Sequence, residues 1–504
     1  MNPDVDSAAN PDRAAQGRSV VVAWVVMITL VALALRLINL TSDLWLDEIS
    51  PVVEYAQKSV PQVISTYRGS NNHLLNTLLV KLSISVFGEH EWSVRLPALI
   101  FGIATVPVLY WVARFAMTTA ASLGAAFLLA ISYHHIFFSQ NARGYTAYLF
   151  FALVSTGLLV QSVRETGPSR WRALVASMFL GFASLLNTAF VYVSHFAVGV
   201  VSLLPSSHGN TLRDRRIGRL LAAFIAAGLA AAILYAGAAS QAVDSIGRDY
   251  RRAGSGFSLL SVEFFLEIVR GVSAGFGAIG LALLFLAAAA LGYWTLLRSN
   301  WQIAVSLALP LALTAALLVA LNLSFSPRFF LLGVPLAMLS AMSLVDTIAA
   351  MVQRRRWLPA RLTGWVIGGA AIAMSLASAA SLPAYYDRPK QPYRAAVRYL
   401  ENLRLAGEPI AVIYVAESGF RYYTGREAVR DNGAYTYLRT KASFDSLAVL
   451  PRSGNLYVVT TLPRGLQLAL PELWNTIVSR SERIRVFSGT IGDGDITIWR
   501  LRPR

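Results

Sequence analysis

Eleven stretches of the chain are apolar over a length that can cross a bilayer. They lie at 19–40, 95–114, 118–138, 144–163, 172–187, 188–205, 217–239, 271–296, 301–321, 329–350 and 362–382. A transmembrane helix needs about 20 mostly apolar residues, and helices are one of the few structures that satisfy every backbone polar group in lipid. The sequence therefore predicts an α-helical polytopic membrane protein with about eleven transmembrane helices. The stretches 172–187 and 188–205 would also fit one long kinked helix.

The composition agrees with a membrane protein. Of the 504 residues, 55% are hydrophobic and 14% are charged, whereas soluble globular proteins carry about 25% charged residues. The formal net charge of +17 would indicate nucleic acid as the partner of a soluble protein. Here the arginines cluster between apolar stretches, where membrane topology explains them, so nucleic acid is not an expected partner. The absence of cysteine excludes disulfides, thiolate metal ligands and a thiol nucleophile.

Arginine clusters predict which side of the membrane each loop occupies. With a cytoplasmic tail at 1–18, the densest clusters fall in cytoplasmic loops, as the positive-inside rule requires. These loops are 164–172, 213–219, 296–300 and 353–361. The first outer loop at 41–94, the loops at 139–145 and 240–270 and the tail from 383 then lie outside. The first apolar stretch resembles a signal peptide near Ala32, Leu33 and Ala34, but its length favours an uncleaved helix in a plasma or inner membrane.

Beyond residue 382 the sequence becomes more charged and predicts a small soluble domain. Residues 391–407 have apolar side chains at helical spacing and end at a glycine. Residues 409–417 and 455–463 are short β-branched runs that are typical of strands, and 483–501 predicts a hairpin that turns at 492–494. We therefore expect a transmembrane domain at 19–382 and an extracytoplasmic α/β domain at 383–504.

The predicted outer loops contain most of the polar side chains that could take part in catalysis or substrate binding. Asp47 and Glu48 in "LWLDE" come shortly after the first predicted helix. Two adjacent carboxylates are costly to desolvate, so their position beside a membrane-length segment calls for a reason. The stretches 51–67 and 72–88 predict amphipathic helices at the membrane surface. Arg143 lies in a second outer loop, and a third contains "SPRFF". All these groups are predicted on the same side of the membrane.

These motifs, in this order, resemble the N-terminal module of the GT-C membrane glycosyltransferases. The resemblance rests on "RLINL…LWLDE", "NNHLLNTLLVKLSISVFGEHEWSVRLPALIFG" and "SQNARGYTAYLF", and it returns at "SPRFFLLGVP" and "YYDRPKQPYRAAVRYL". The branch that it resembles, glycosyltransferase family 39, contains the protein O-mannosyltransferases and the lipid A aminoarabinose transferases. It implies a GT-C-like fold and transfer of a hexosyl or pentosyl group, with inversion, from a polyprenyl-phosphate donor to an acceptor hydroxyl outside the membrane.

The resemblance also implies roles for individual side chains. Asp47 would be the general base that deprotonates the acceptor, and Glu48 would orient the acceptor or a metal. Arg143 and Arg328 would hold the donor phosphate, because a guanidinium group presents paired donors to phosphate oxygens. The candidate substrate-binding residues are His73, Asn72 and Tyr145.

The metal and the acceptor stay open. The family often has two prolines after the histidine, where this chain has "NNHLLN", so the role of His73 is not fixed by the resemblance. No cofactor is predicted with certainty. A divalent metal held with the help of Glu48 and His73 stays open, although no compact ligand motif is present. The acceptor hydroxyl could belong to a glycan, a lipid or a protein.

Other functions and simpler roles also remain open. A secondary transporter usually has ionisable residues at the membrane midplane and repeated halves, whereas here the charges fall mostly in loops and no repeat is evident. An envelope glycan ligase or polymerase would differ mainly in the size of its donor. Asp47 could be an interfacial charge, Arg143 could extend to the head groups, and Arg328 could simply belong to a helix start. Arg36 could pair with an outer-loop carboxylate or extend to the head groups.

Overall fold

A computed structural model describes most of the chain as two compact units. The described residues are 11–67, 72–164, 167–204, 211–244, 271–321, 326–357, 359–427, 432–449, 454–490 and 493–501, with the single positions 266, 269, 323 and 429. The first unit consists of residues 1–38, 58–86 and 93–382, and the second of residues 39–57, 87–92 and 383–504. Most of the predicted outer loop 240–270 lies outside the described residues, as does Gly492 of the predicted hairpin turn.

The first unit is a bundle of apolar helices. Each of the eleven predicted stretches coincides with a helix, or with a bent pair of helices, which confirms the predicted fold class. Among the described residues, eight helices are long and apolar enough to cross a membrane, and nine if the bent pair counts as one span. The helices are Pro11–Leu37, Val60–Ser65, Leu74–Phe87, Glu91–Ala113, Thr119–Ile131, Tyr133–Ser139, Tyr145–Arg164, Pro168–Ser184, Thr188–Leu203, Thr211–Tyr235, Ile279–Ser299, Trp301–Ala320, Gly333–Arg354 and Ala360–Ala379, with a 3-10 turn at Pro327–Phe330.

The two remaining helices of the predicted eleven are shorter than a full span. Pro168–Ser184 has 17 residues and Thr188–Leu203 has 16. With a rise of about 1.5 Å per residue they are roughly 25 Å long, less than the hydrocarbon thickness of about 30 Å. They are separate helices with Leu185, Leu186 and Asn187 between them, so the structure does not form the single kinked helix that the sequence left open.

The predicted amphipathic helix over 51–67 is not continuous. A helix at Leu46–Pro51 passes into a π-helical turn at Val52–Ala56, and a new helix begins at Val60–Ser65. The second helix has a start signal of its own, because the backbone N–H and the hydroxyl of Ser59 both donate to Oε1 of Gln62 at 3.1 Å. The helix predicted at 72–88 is confirmed as Leu74–Phe87.

Arg36 fastens the first helix to the break between Thr119–Ile131 and Tyr133–Ser139, where the chain bends by 58°. Its side chain is completely buried, which is incompatible with extension to the head groups. The guanidinium donates to the carbonyl oxygens of Ala130 at 2.8 Å and Leu129 at 3.3 Å. These carbonyls lie in the last turn before the break, where helical N–H partners run out. Arg36 therefore stabilises the break by replacing the missing donors.

The second unit is built around a five-stranded mixed sheet. Its strands are β1 (Ile410–Ile413), β2 (Tyr435–Leu438), β3 (Leu456–Thr461), β4 (Ser481–Phe487) and β5 (Ile496–Leu501), in the order β2-β1-β3-β5-β4. β1 runs parallel to β2 and β3, and β5 runs antiparallel to β3 and β4. The helical segments are Leu46–Pro51, Val52–Ala56, Leu382–Tyr386, Tyr393–Leu403, Ala416–Thr424, Asn432–Ala434, Lys441–Val449, Pro463–Ala469 and Pro471–Arg480.

The main elements of the second unit follow the sequence pattern. The predicted helix at 391–407 is confirmed as Tyr393–Leu403, and the predicted strands and hairpin are confirmed as β1, β3 and β4–β5. β1 and β3 are buried along their whole length, which explains their continuous apolar runs. β2 was not predicted, because "YTYL" is short and mixed in polarity. The predicted domain boundary at 382/383 stays a prediction.

Glycine allows two long helices of the bundle to approach closely. A Cβ atom at Gly292 on Ile279–Ser299 would overlap the carbonyl oxygen of Ser340 on Gly333–Arg354. Leu296, Leu339 and Met342 beside this contact are completely buried. Small residues at such crossings let helix backbones pack in van der Waals contact, which is a main source of helix association in membranes.

Gly292→Ala should therefore destabilise the bundle. The added methyl group meets backbone rather than a flexible side chain, and overpacking of this kind costs about 1–3 kcal/mol. Gly280→Ala on the same helix is the matched control, because its Cβ would meet nothing within 4 Å. We expect a lower thermal unfolding midpoint in detergent for Gly292→Ala and an unchanged one for Gly280→Ala. Equal midpoints for the two variants would contradict the close helix contact.

Candidate active site

Asp47 and Glu48 lie in the first turn of the helix Leu46–Pro51 in the second unit. Asp47 is half-buried, whereas Glu48 is completely buried. Oε2 of Glu48 accepts a hydrogen bond from the backbone N–H of Trp45 at 3.3 Å and lies 3.8 Å from Nζ of Lys390. Of the two adjacent carboxylates, Asp47 is thus the one that presents surface to a reactant, and Glu48 is engaged within the unit.

The segment that leads into this helix is held by C-terminal residues of the same unit. The backbone N–H of Leu44 donates to the hydroxyl of Tyr423 at 2.6 Å. Arg394 lies 3.5 Å from Asp43 and also forms an ion pair with Glu91. Burial, with the negative charges of Asp43 and Glu91 nearby, raises the pKa of Tyr423, so its hydroxyl stays protonated. The segment before the carboxylate-bearing turn is therefore held at residues 43 and 44.

Arg143 and His73 form a buried pair in the first unit. Their exposed fractions are 2% and 4%, which leaves little room for water between them. Nε and Nη2 of Arg143 lie 3.3 and 3.1 Å from Nε2 of His73, and Nδ1 of His73 lies 3.2 Å from the carbonyl oxygen of Ser184. Because a carbonyl oxygen only accepts, the imidazole proton lies on Nδ1 and Nε2 accepts from Arg143. His73 is a neutral imidazole that holds a guanidinium group.

Electrostatics keeps this imidazole neutral. Burial is the main cause, and Arg143 a second, of a His73 pKa that lies well below its ordinary value of 6.5. The positive charge of Arg328 acts in the same direction, whereas the hydrogen bond to Ser184 partly opposes the shift. Arg328 is part of the 3-10 turn Pro327–Phe330, which begins with a proline. This agrees with the simpler alternative that Arg328 belongs to a helix start, and it leaves the phosphate-binding role a prediction. The charges of Arg143 and Arg328 thus both disfavour a proton on the same imidazole.

Tyr145 and Gly144 complete the surroundings of the pair. The ring centroids of Tyr145 and His73 are 5.3 Å apart, and Cζ of Arg143 lies 5.1 Å from the Tyr145 centroid, a cation–π distance. A Cβ atom at Gly144 would overlap the carbonyl oxygen of Ser184 and stand 3.0 Å from Cβ and Nδ1 of His73. Glycine is therefore required here for the backbones to meet.

Asn72 is used within the chain. Its amide donates to the carbonyl oxygens of Val63 at 3.0 Å and Thr66 at 2.8 Å, so it is held by the backbone around the end of the helix Val60–Ser65. Both ring nitrogens of His73 are likewise engaged by protein groups. Within the part of the chain that the structure describes, no three His, Asp or Glu side chains are grouped as metal ligands. The predicted substrate and metal roles of these residues stay predictions.

The predicted residues therefore fall into two groups, each inside one unit. His73, Arg143 and Tyr145 contact one another in the first unit, where the charge of Arg328 also acts on His73, and Asp47 and Glu48 share one helical turn in the second. The sequence does not single out the residues that support these groups, because three of them come from distant parts of the chain and Gly144 has no side chain to indicate its contact. The dipeptide Lys-Gln in "DRPKQPYR", two polar residues between prolines, was the one visible signal. The missed residues are Ser184, Lys390, Gln391 and Gly144.

A family model matches one part of the helical region. Residues 74–235 match the family model described as dolichyl-phosphate-mannose-protein mannosyltransferase. This segment contains Arg143, Gly144, Tyr145 and Ser184. No curated protein sequence matches the chain significantly.

Solved structures share the fold over nearly the whole chain. ArnT from Cupriavidus metallidurans in the apo state gives a TM-score of 0.56 at 13% identity, covering 95% of this chain and 98% of that one. The same protein bound to undecaprenyl phosphate gives 0.51 at 14% identity, with the same coverage. An oligosaccharyltransferase from Archaeoglobus fulgidus gives 0.50 at 14% identity, covering 94% and 72%. At these identities the likeness establishes the fold, and the predicted GT-C resemblance is confirmed.

The neutral state of His73 predicts a pH-dependent stability. Below pH 6.5 the unfolded chain binds a proton at residue 73 that the folded chain refuses, so stability falls as the pH drops from about 6.5 towards the lowered pKa. His73→Gln keeps an acceptor for Arg143 and removes the titration. As the pH is lowered from 7.5 to 5, the free energy of unfolding, measured by thermal unfolding, should therefore fall more steeply for wild type than for His73→Gln. The difference in slope is at most about 1.4 kcal/mol per pH unit. Parallel curves would contradict a neutral, buried His73, because the other histidines are common to both proteins.

Proposed function

We propose that this membrane protein, whose fold is that of the GT-C glycosyltransferases, transfers a sugar from a polyprenyl-phosphate donor to an acceptor hydroxyl on the extracytoplasmic side. The observation that carries the proposal is the buried Arg143, whose guanidinium is fixed by a neutral imidazole. Two facts support it further. The family model spans Arg143, and the structural neighbour ArnT has been solved bound to undecaprenyl phosphate.

The reaction that we propose is a single displacement. The bond between the anomeric carbon and the phosphate oxygen breaks, and its electron pair leaves with the lipid phosphate. The acceptor oxygen bonds to the same carbon from the opposite face, so the configuration inverts. Its hydroxyl proton passes to the carboxylate of Asp47, which acts as the general base.

Asp47 suits the role of base better than its neighbour does. Glu48 already accepts from the Trp45 backbone and pairs with Lys390, and it has no exposed surface. Asp47 is half-buried at the same turn, where a carboxylate can accept a proton from a bound hydroxyl. The acceptor class, whether glycan, lipid or protein, is not part of the proposal.

We assign Arg143 and Arg328 to the donor phosphate. As the glycosidic bond breaks, negative charge grows on the phosphate, and cations that are already in place stabilise this charge without reorganising. The planar fork of an arginine matches two phosphate oxygens, whereas a lysine presents a single charged point. A neutral His73 serves this role because it fixes Arg143 without adding a competing negative charge or a repelling positive one.

Asp47→Asn should abolish most sugar transfer. The amide preserves the shape of the side chain but cannot accept the proton, and loss of a general base costs roughly 10²–10⁴ in rate. Membranes with equal amounts of each protein are supplied with radiolabelled polyprenyl-phosphate sugars, and transfer of label is measured. Glu54→Gln, which removes an exposed carboxylate on the adjacent π-helical turn, is the control and should retain activity. Equal transfer by wild type and Asp47→Asn would exclude Asp47 as the base.

Arg143→Gln should weaken use of the donor. Loss of a charge-assisted hydrogen bond costs about 1.5–3 kcal/mol, which corresponds to roughly a 10- to 100-fold fall in kcat/KM for the lipid-linked sugar. Arg143→Lys should recover part of this loss, since the charge returns without the fork. Arg114→Gln removes an exposed arginine at the far end of Glu91–Ala113 and serves as the control. An unchanged kcat/KM for Arg143→Gln would remove Arg143 from the donor site.

A further inference from the structure

The completely buried Glu48 has a buried partner from the start of the C-terminal region. Nζ of Lys390 lies 3.8 Å from Oε2 of Glu48, and the side chains are 4% and 0% exposed. A buried carboxylate without a nearby cation would be strongly destabilised, because desolvation penalises its charged form. The position of the Asp47–Glu48 turn therefore depends on a cation supplied by a segment 342 residues further along the chain.

The residue after Lys390 binds the same turn. Oε1 of Gln391 accepts a hydrogen bond from the backbone N–H of Leu46 at 2.8 Å. This N–H belongs to the first turn of the helix that carries Asp47, where backbone donors have no acceptor within the helix. Nε2 of Gln391 donates to Oγ1 of Thr461 at 3.1 Å, and that hydroxyl donates to the carbonyl oxygen of Asp495 at 3.0 Å. The relay fixes which end of the Gln391 amide faces the helix.

The sheet of the second unit supports the backbone of this dipeptide. The backbone N–H of Thr490 donates to the carbonyl oxygen of Pro389 at 3.0 Å. A Cβ atom at Gly489 would overlap the carbonyl oxygen of Lys390, so the loop between β4 and β5 packs directly on the residue. Thr461 ends β3 and Asp495 immediately precedes β5. Three parts of the C-terminal sheet thus hold Lys390 and Gln391 in place.

We propose that Lys390 and Gln391 are positioning residues for the Asp47 base, with Lys390 acting through Glu48 and Gln391 through the Leu46 backbone. This inference rests on the proposed function. It gives the C-terminal domain a part in the chemistry of the transfer, beyond any part in selecting the acceptor. Misplacing a catalytic group by about 1 Å can cost roughly 100-fold in rate. Loss of Lys390 or Gln391 should therefore lower kcat more than it weakens donor binding.

The test is a double-mutant cycle between Lys390 and Glu48, read as sugar transfer by purified full-length protein. Lys390→Met should lower kcat about 10- to 100-fold, with the KM for the lipid-linked sugar changed less than about twofold. In a Glu48→Gln background Lys390→Met should cause no further loss, because the charge that it balanced is gone. Lys390→Arg should recover most of the activity, since it restores the cation.

A second pair of variants tests the support from the sheet without touching a charge. Gly489→Ala should lower kcat by displacing Lys390, whereas Gly465→Ala in the same unit should behave as wild type, because its Cβ meets nothing within 4 Å. Thermal unfolding of every variant identifies any that fail to fold. If Lys390→Met alone does not fold, the Gly489→Ala and Gly465→Ala pair still decides whether displacement of the dipeptide changes kcat.

The outcomes separate this inference from the proposed function. If wild type transfers sugar and Lys390→Met is equally active, or loses the same factor with and without Glu48→Gln, the positioning role of Lys390 is wrong. If Gly489→Ala has the kcat of Gly465→Ala, support through the β4–β5 loop is wrong. If wild type consumes no lipid-linked sugar, the proposed function fails and the positioning role fails with it.

Discussion

The hydrogen bonds from Arg143 to Nε2 of His73 are the interaction on which the rest of the first unit's polar centre depends. They exist only while Nε2 has a free lone pair, and that condition is set by the Ser184 carbonyl at the opposite ring nitrogen. The carbonyl can come so close only because residue 144 is a glycine. One guanidinium is therefore oriented by three different parts of the chain, and none of the three needs to carry a charge.

In the second unit, buried carboxylates are stabilised by ion pairs with basic side chains, whereas in the first unit Arg143 is held by a neutral imidazole. Glu48 is balanced by Lys390, and Asp43 and Glu91 are balanced by Arg394. The fully buried pair of Glu48 and Lys390 is costly to break, because the remaining charge keeps its desolvation penalty. The contrast has a physical reason. Around Asp47 the charges must hold a carboxylate-bearing turn in place, whereas around Arg143 a counter-charge would compete with the ligand that the arginine is proposed to bind.

The elements that have a local signal are predictable from the sequence. Apolar runs located the helices, β-branched runs located β1 and β3, and the order of motifs around Asp47 and Arg143 indicated the GT-C fold. The predicted helix over 51–67 was wrong as one element, because periodicity alone did not reveal the new helix start at Ser59. Among the described residues, fewer than eleven helices are long enough to span, because two of the eleven predicted helices are a few residues short.

The supporting residues had no local signal that identified their partners. Ser184 contributes through its backbone, which any residue could supply, and it lies 111 residues from His73. Lys390 lies 342 residues from its partner Glu48. Such pairs depend on tertiary contacts between distant segments, and a single sequence contains no record of them. The roles proposed for Asp47 and Arg143 thus rest on motif resemblance, whereas the contacts that orient these side chains are visible only in the structure.

The burial of Arg36 has a consequence for how the protein is made. The first helix enters the bilayer with a charge near one end, and the carbonyl of Ala130 that later accepts from it lies 94 residues further along. At a synthesis rate of about 5–20 residues per second, Ala130 is synthesised roughly 5–20 s after Arg36. A charged residue inside an inserting helix costs up to about 3 kcal/mol at the membrane centre, and the long apolar run before Arg36 offsets that cost in the interval. Until the segment around the helix break is synthesised, the guanidinium has the Ala32 carbonyl of its own helix as an acceptor but lacks the carbonyls of Leu129 and Ala130.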